Sequence, residues 1–407
     1  MKKIMIIGAG VYQLPLVQEA AKEHTVILVA PQISSAFEEL ADKCYICDVT
    51  DNEQILAYAQ KEKIDGVITD QTDIAVRTVA YVAEKMGLPG IGYQTACLFT
   101  DKSLMREKCK ELNIPTLPYM PVKTFEQALQ FYHEIGKGTV IIKPVDNQGS
   151  RGVQQIDSED ELRQKFKEAI DYSRSGAVLI EKKAKGREFV VESLCWNGEY
   201  YPLICGDTNY FNIKDAFAAK NRLFPSCAEK SLVDRVQELN RKIVTGFGLK
   251  QGISHSEYIM DGDEIYLIET AARGGGVFIS SDLISLGTGL NTEKFLIQIA
   301  LGEREGAPSL EYDKNACGYM AFFLPKGEVV SVEGIDEVMQ LPYVHRNLLH
   351  DIKVGLKTEF HLDKTSRYPI IVSATDLEEL SKRMAYIRSL LQIKVSDGKN
   401  DNTIIWE

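Results

Sequence analysis

Short apolar runs alternate with amphipathic stretches over the first ninety residues. Lys3-Ile4-Met5-Ile6-Ile7-Gly8 is a continuous apolar run ended by a glycine turn, and a helical pattern follows at about 13–23. A second run, His24 to Val29, and a third, Asp65-Gly66-Val67-Ile68-Thr69, are separated from their neighbours by helical stretches near 52–62 and 73–86. Lys43-Cys44-Tyr45-Ile46-Cys47-Asp48 also reads as a strand. Strands alternating with helices of this length predict a parallel, doubly wound α/β sheet. This unit closes near Gly87-Leu88-Pro89-Gly90.

The pattern then changes. A helix near 102–112 ends at Asn113-Ile114-Pro115, and strands at 117–121, 139–143 and 177–181 alternate with helices at 124–135 and 158–173. These segments predict a compact α+β unit, about 114–183, able to move as a lid. Residues 186–270 are strand-rich around one helix (229–245), in which Leu232, Val236, Leu239 and Ile243 recur at helical spacing. Asp261-Gly262-Asp263 between runs 253–260 and 264–270 predicts a hairpin. A small C-terminal α+β region carries an amphipathic helix at 376–391. The expected divisions are 1–97, 98–305 and 306–407.

Composition narrows the function classes. Asp and Glu number 58 against 47 Lys and Arg, a net charge of −11, which argues against a nucleic-acid partner. No apolar run reaches the ~18–20 residues of a membrane span, so no membrane association is expected. The N-terminal run breaks too early for a signal peptide. Eight scattered cysteines fit free thiols in a reducing cytoplasm. Cys44 and Cys47 point to opposite faces of a strand, which disfavours metal or redox use.

Gly8-Ala9-Gly10-Val11-Tyr12-Gln13 begins like a dinucleotide fingerprint, but Gln13 stands where the third glycine belongs. The second strand ends in Val29-Ala30-Pro31, without the ribose-binding acid, so a nicotinamide site is disfavoured. Better placed is Lys143 at a strand end, followed by Asp146-Asn147-Gln148-Gly149-Ser150-Arg151-Gly152. Glycines let backbone N–H groups approach an anion and the lysine supplies a point charge, although a plain glycine hairpin has the same look. In Glu181-Lys182-Lys183-Ala184-Lys185-Gly186-Arg187-Glu188, a polar crossing between strands can read an adenine edge, with Glu188 accepting from ribose hydroxyls. Glu257 and Glu269 fall opposite each other, within a residue or two, on the hairpin arms. Their mutual repulsion in an apolar sheet would be relieved by a divalent cation. Arg273, ahead of Gly274-Gly275-Gly276, could clamp a phosphoryl group. Tyr12, Gln13, Asp70, Gln71, Asp73 and His255 are candidate substrate contacts, with turn capping as the alternative for each.

Taken in order, these motifs resemble the ATP-grasp superfamily over about residues 1–300, most closely its carboxylate–amine ligases. The resemblance includes amino-acid ligases, the carboxylating enzymes of purine synthesis and the synthetase half of carbamoyl-phosphate synthase. It implies a pre-ATP-grasp domain at 1–97, an ATP-grasp core at 98–305 with a mobile lid, and ATP lying between two α+β subdomains. It makes Lys102 and Lys143 the phosphate lysines, and it closes the loop containing Gln148, Gly149 and Ser150 over the β- and γ-phosphates. Glu181, Lys182 and Ala184 line the adenine, with Glu188 on the ribose. Glu257 and Glu269 hold Mg2+, or Mn2+ in its place, and Arg273 stabilises an acyl phosphate. Many members carry Asn two residues after the second metal acid, where this chain has Ala271.

The expected reaction is ATP-dependent activation of a carboxylate and its ligation to an amine, with Lys143 and Arg273 catalytic. An ATP-dependent carboxylase acting on bicarbonate and a non-catalytic nucleotide-binding scaffold are the alternatives. Small-molecule acid and amine partners and a homodimer are expected.

Overall fold

The computed structural model describes residues 1–147, 149–312, 315–360 and 366–407. The first sheet consists of Lys3–Ile7 (β1), Thr25–Ala30 (β2), Lys43–Ile46 (β3) and Gly66–Ile68 (β4), all parallel and ordered β3-β2-β1-β4. Burial on both faces explains the unbroken apolar run in β1, where Ile4 to Ile7 are fully buried. The chain leaves β1 in both directions across the sheet, which is the doubly wound arrangement. Helix Asn52–Glu62 starts at Asp51, whose side chain accepts from Gln54 N.

A second four-stranded sheet is built from Tyr119–Val122 (β5), Val140–Pro144 (β6), Gln154–Ile156 (β7) and Val178–Lys182 (β8), in the order β5-β8-β6-β7. Helices Phe125–Glu134 and Glu159–Asp171 cover it and form its own core with Val140, Ile142, Val178 and Ile180.

The central sheet has eight strands. Arg187–Trp196 (β9), Glu199–Tyr210 (β10), Ala219–Phe224 (β11), Gly252–Asp261 (β12) and Glu264–Ala271 (β13) are joined by Ala316–Phe323 (β14). Gly327–Glu333 (β15), Val344–Asn347 (β16), Lys357–Thr358 (β17), Arg367–Ala374 (β18), Gln392–Ser396 (β19) and Asp401–Thr403 (β20) complete the chain. The sheet order is β13-β12-β9-β10-β11-β14-β18-β16, while β15, β17, β19 and β20 form a small separate sheet. Three strands from beyond residue 305 thus extend the sheet begun by residues 187–271. Helix Lys230–Gly246 packs Val236, Ile243 and Val244 against it. Helix Leu377–Leu390 is capped by Asp376, which accepts from Glu379 N.

The stretch 275–301, for which the apolar pattern gave no element, is helical in pieces: a π turn at Ile279–Leu283, then Ile284–Thr288 and Thr292–Ala300. Among the described residues no helix is long and apolar enough to cross a membrane, and all eight cysteines are unpaired.

Candidate active site

A cleft of about 360 Å³ lies between the β5–β8 unit and the central sheet, bringing together residues from 102 to 269. Its lining includes Lys102, Lys143, Gly149, Ser150, Glu181, Lys182, Ala184, Glu188, Glu257 and Glu269. Gln148 lies outside the described residues.

Lys143 on β6 is 5% exposed and its Nζ meets Glu181 on β8. Arg106, from helix Lys102–Glu111, reaches the same carboxylate through Nε (3.1 Å) and Nη2 (3.0 Å). Burial pushes the Glu181 carboxyl up, but Arg106 and Lys143 outweigh it and hold it below the usual range. For Lys143 burial wins, and its ammonium is lowered in spite of Glu181. The Glu181 side chain is therefore spent on holding Lys143 and Arg106. Lys102 opens its helix and donates to Asn147 O (2.9 Å) while pairing with Glu269 at 2.8 Å.

The loop after β6 takes left-handed backbone at Gly149 (φ 72), Ser150 (φ 64) and Gly152 (φ 73). Ser150 Oγ donates to Phe217 O at 3.0 Å, tying this loop to the far wall of the cleft. Lys165–Asp215 (3.0 Å) and Lys214–Glu161 (2.9 Å) join the same two units. Glu188 accepts from the Tyr210 hydroxyl at 2.6 Å, and burial raises its carboxyl to about 7.

Glu257 and Glu269 are register partners across β12 and β13. Arg222 and His255 face Glu257, and Lys102 faces Glu269. Among the described residues no group of three or more His, Cys, Asp or Glu could hold a metal. Two carboxylate oxygens from adjacent strands still suit Mg2+, which keeps most of its water and is commonly held by one or two carboxylates plus phosphate oxygens. With Ala271 buried beside His255 in the register, Mg2+ gains no further side chain there.

His255 sits in a relay. Its Nδ1 meets the fully buried Glu192, and its Nε2 lies 3.0 Å from Arg222 Nη1 and 3.1 Å from Glu257 Oε1. Glu192 also accepts from Gly275 N at 3.0 Å. A Cβ on Gly275 would lie 2.5 Å from Glu192 Oε1, so the close approach needs glycine.

Arg273 pairs with Asp73, donating from Nη2 at 2.9 Å, and also donates to Gly274 O. Asp70 Oδ1 accepts from Gly274 N (2.8 Å), and Gln71 Oε1 accepts from Phe278 N (3.0 Å). These two side chains hold a loop in which Val277 (φ 62) and Phe278 (φ 60) are both left-handed, a costly state for a β-branched residue. Asp70 and Gln71 thus bind protein backbone beside Arg273. Gln13 is similarly engaged: buried, it accepts from Gly10 N and donates to Ile7 O and Thr69 Oγ1, replacing the missing glycine as a turn staple. Tyr12 is part-exposed, edge-on to Phe278 at 5.0 Å.

Arg106, Glu192, Tyr210 and Arg222 carry much of this geometry and were not singled out by sequence reasoning. Glu192 did leave a signal, being an acid inside the apolar run Phe189-Val190-Val191-Glu192-Ser193-Leu194.

Residues 137–282 match the family described as the ATP-grasp domain. The carbamoyl phosphate synthase large chain of Clostridium acetobutylicum is 27% identical over 322 residues, covering 74% of this chain and 29% of the relative. The alanine–anticapsin ligase of Bacillus subtilis is 26% identical over 247 residues, 55% of this chain and 51% of the relative. The chain therefore spans about a third and about half of these two proteins. The L-amino acid ligase from Bacillus licheniformis superposes with a TM-score of 0.82 at 20% identity, over 98% of this chain and 99% of that one, and so shares its fold. The stretch that matches the ATP-grasp domain, 137–282, supplies most of the residues that line the cleft.

Proposed function

We propose that this protein is an ATP-dependent ligase that activates a carboxylate as an acyl phosphate and joins it to an amine, releasing ADP and phosphate. The observation that carries the reading is one cleft holding Lys102 and Lys143 together with the Glu257–Glu269 pair, Lys102 lying 2.8 Å from Glu269. Phosphoryl transfer demands positioning and charge neutralisation more than covalent chemistry. Lys143, fixed by Glu181, and Lys102, fixed by Asn147 O, would meet the phosphates, and Glu188 would accept from the ribose. Mg2+, or Mn2+ in its place, would be held by Glu257 and Glu269 and would neutralise phosphate charge. Arg273 would steady the acyl phosphate, and the Ser150 loop would exclude water from it. The similarity to the alanine–anticapsin and L-amino acid ligases supports carbon–nitrogen ligation within this family.

The test is phosphate release from Mg-ATP with pooled carboxylic acids, with and without pooled amines. Release that needs both pools is expected. Release with bicarbonate alone would replace the ligase by a carboxylase, and silence in a protein that binds Mg-ADP would favour the scaffold.

A further inference from the structure

Four of the buried cations around the cleft face a carboxylate: Lys102 Glu269, Arg106 and Lys143 Glu181, and Arg222 Glu257. Arg367, at the start of β18, is different. It is 3% exposed and forms no ion pair among the described residues. Its Nη1 donates to Ala219 O and lies 3.4 Å from the Tyr319 hydroxyl, and its guanidinium rests on the Tyr319 ring, 5.3 Å from the centroid. Nε and Nη2 have no hydrogen-bond partner among the described residues.

A buried charge without a counter-charge is expensive. A buried acid can escape by taking up a proton. Glu293, whose Oε1 also has no partner among the described residues, does so, with its carboxyl raised by burial to about 8. A guanidinium has no such escape, because it does not deprotonate in proteins. Two aligned N–H donors on a permanent cation are the complement of an oxyanion.

Position indicates whose oxyanion. Arg222, the partner of Glu257, is opposite Tyr319 in the β11–β14 register, and Arg367 stacks on Tyr319. Arg367 stands two strands from Arg222 in the sheet, and its Nη1 meets the carbonyl of Ala219, which lines the cleft with Arg222, on the side where Tyr12 of the turn after β1 approaches. Tyr12 feels the Arg367 charge, although burial outweighs it and raises the phenol. We infer that Arg367, flanked by Tyr12 and Tyr319, is a subsite for an oxyanion, carboxylate or phosphate, carried by the amine substrate. The inference rests on the ligase reading and narrows its second substrate to an anionic amine.

The experiment uses the full chain with saturating Mg-ADP and three probes of similar size: L-alanine, O-phosphoethanolamine and the neutral L-alaninamide. We expect L-alanine or O-phosphoethanolamine to raise the melting temperature by at least 2 °C and L-alaninamide to leave it unchanged, and whichever anion acts names the source. Arg367→Met should lose that shift, keep the shift due to Mg-ADP, and melt without ligand at or above wild type. Equal response to all three probes, retention of the shift in Arg367→Met, or a variant that melts well below wild type would each overturn the subsite. Should Arg367→Met not accumulate as folded protein, the three probes on wild type decide alone. In the phosphate-release assay with pooled acids, equal stimulation by free amino acids and their amides would remove the role of Arg367 while leaving the ligase intact. No stimulation by any amine would remove the ligase itself, with the thermal shifts still judging the subsite.

Discussion

The Lys143–Glu181–Arg106 cluster and Arg367 place similar charges at similar depth, and only the first is complete within the protein. In the β5–β8 unit the two cations share one carboxylate at hydrogen-bond distance, so Lys143 is held in place by the protein alone. At Arg367 the described residues supply a carbonyl, a ring and a distant hydroxyl but no anion. Preorganisation and incompleteness are two ways of building affinity. One fixes the donor in advance, and the other leaves a cost that a ligand of the right charge removes.

Removing one partner is the sharpest way to break the comparison. Arg106→Met should cost about 3–5 kcal/mol in urea unfolding, because it strips a buried carboxylate of its two-point partner. Arg367→Met carries the opposite expectation of no loss. Next in size, Lys143→Met should lower turnover about 100- to 1000-fold in the phosphate-release assay, with circular dichroism unchanged. Glu293→Gln addresses the escape open to acids. The Glu293 carboxyl at about 8 stands above its ordinary 4.5, so its stabilising contribution is full below pH 4.5 and is lost as pH rises through 8. Wild type should therefore lose stability relative to Glu293→Gln between pH 5 and 9, by roughly 4 kcal/mol, read as melting temperature against pH. Ser150→Ala should cost least, about 0.5–1.5 kcal/mol, with the loop after β6 cut by protease faster than in wild type.

What the sequence disclosed follows the reach of its local signals. The hairpin around Gly262 set Glu257 opposite Glu269, because a tight turn fixes register. Lys143 was legible from its strand end and its glycines. For Gln13 the sequence left ligand contact and turn capping open, because a missing glycine cannot show what replaces it, here an amide bonded to residues 7, 10 and 69. Asp70 and Gln71 sit where open sheets bind ligands, yet their oxygens reach a loop about 200 residues away. Arg222 and Arg367 gave no local signal, since what distinguishes them is the presence or absence of a partner from remote chain. The helical pieces at 279–300 were missed because Val277-Phe278-Ile279 and Leu283-Ile284 are too uniformly apolar to show a period.

The eight-stranded sheet has a bearing on engineering. Because β14 bonds to β11 and β18 to β14, the C-terminal quarter is hydrogen-bonded into the sheet under the cleft. A chimera that swaps residues after 305 between relatives would open a ladder in mid-sheet, whereas the β5–β8 unit is an insertion with its own core. Exchanging that lid, or changing single side chains on β18, is therefore the tractable route to altered specificity.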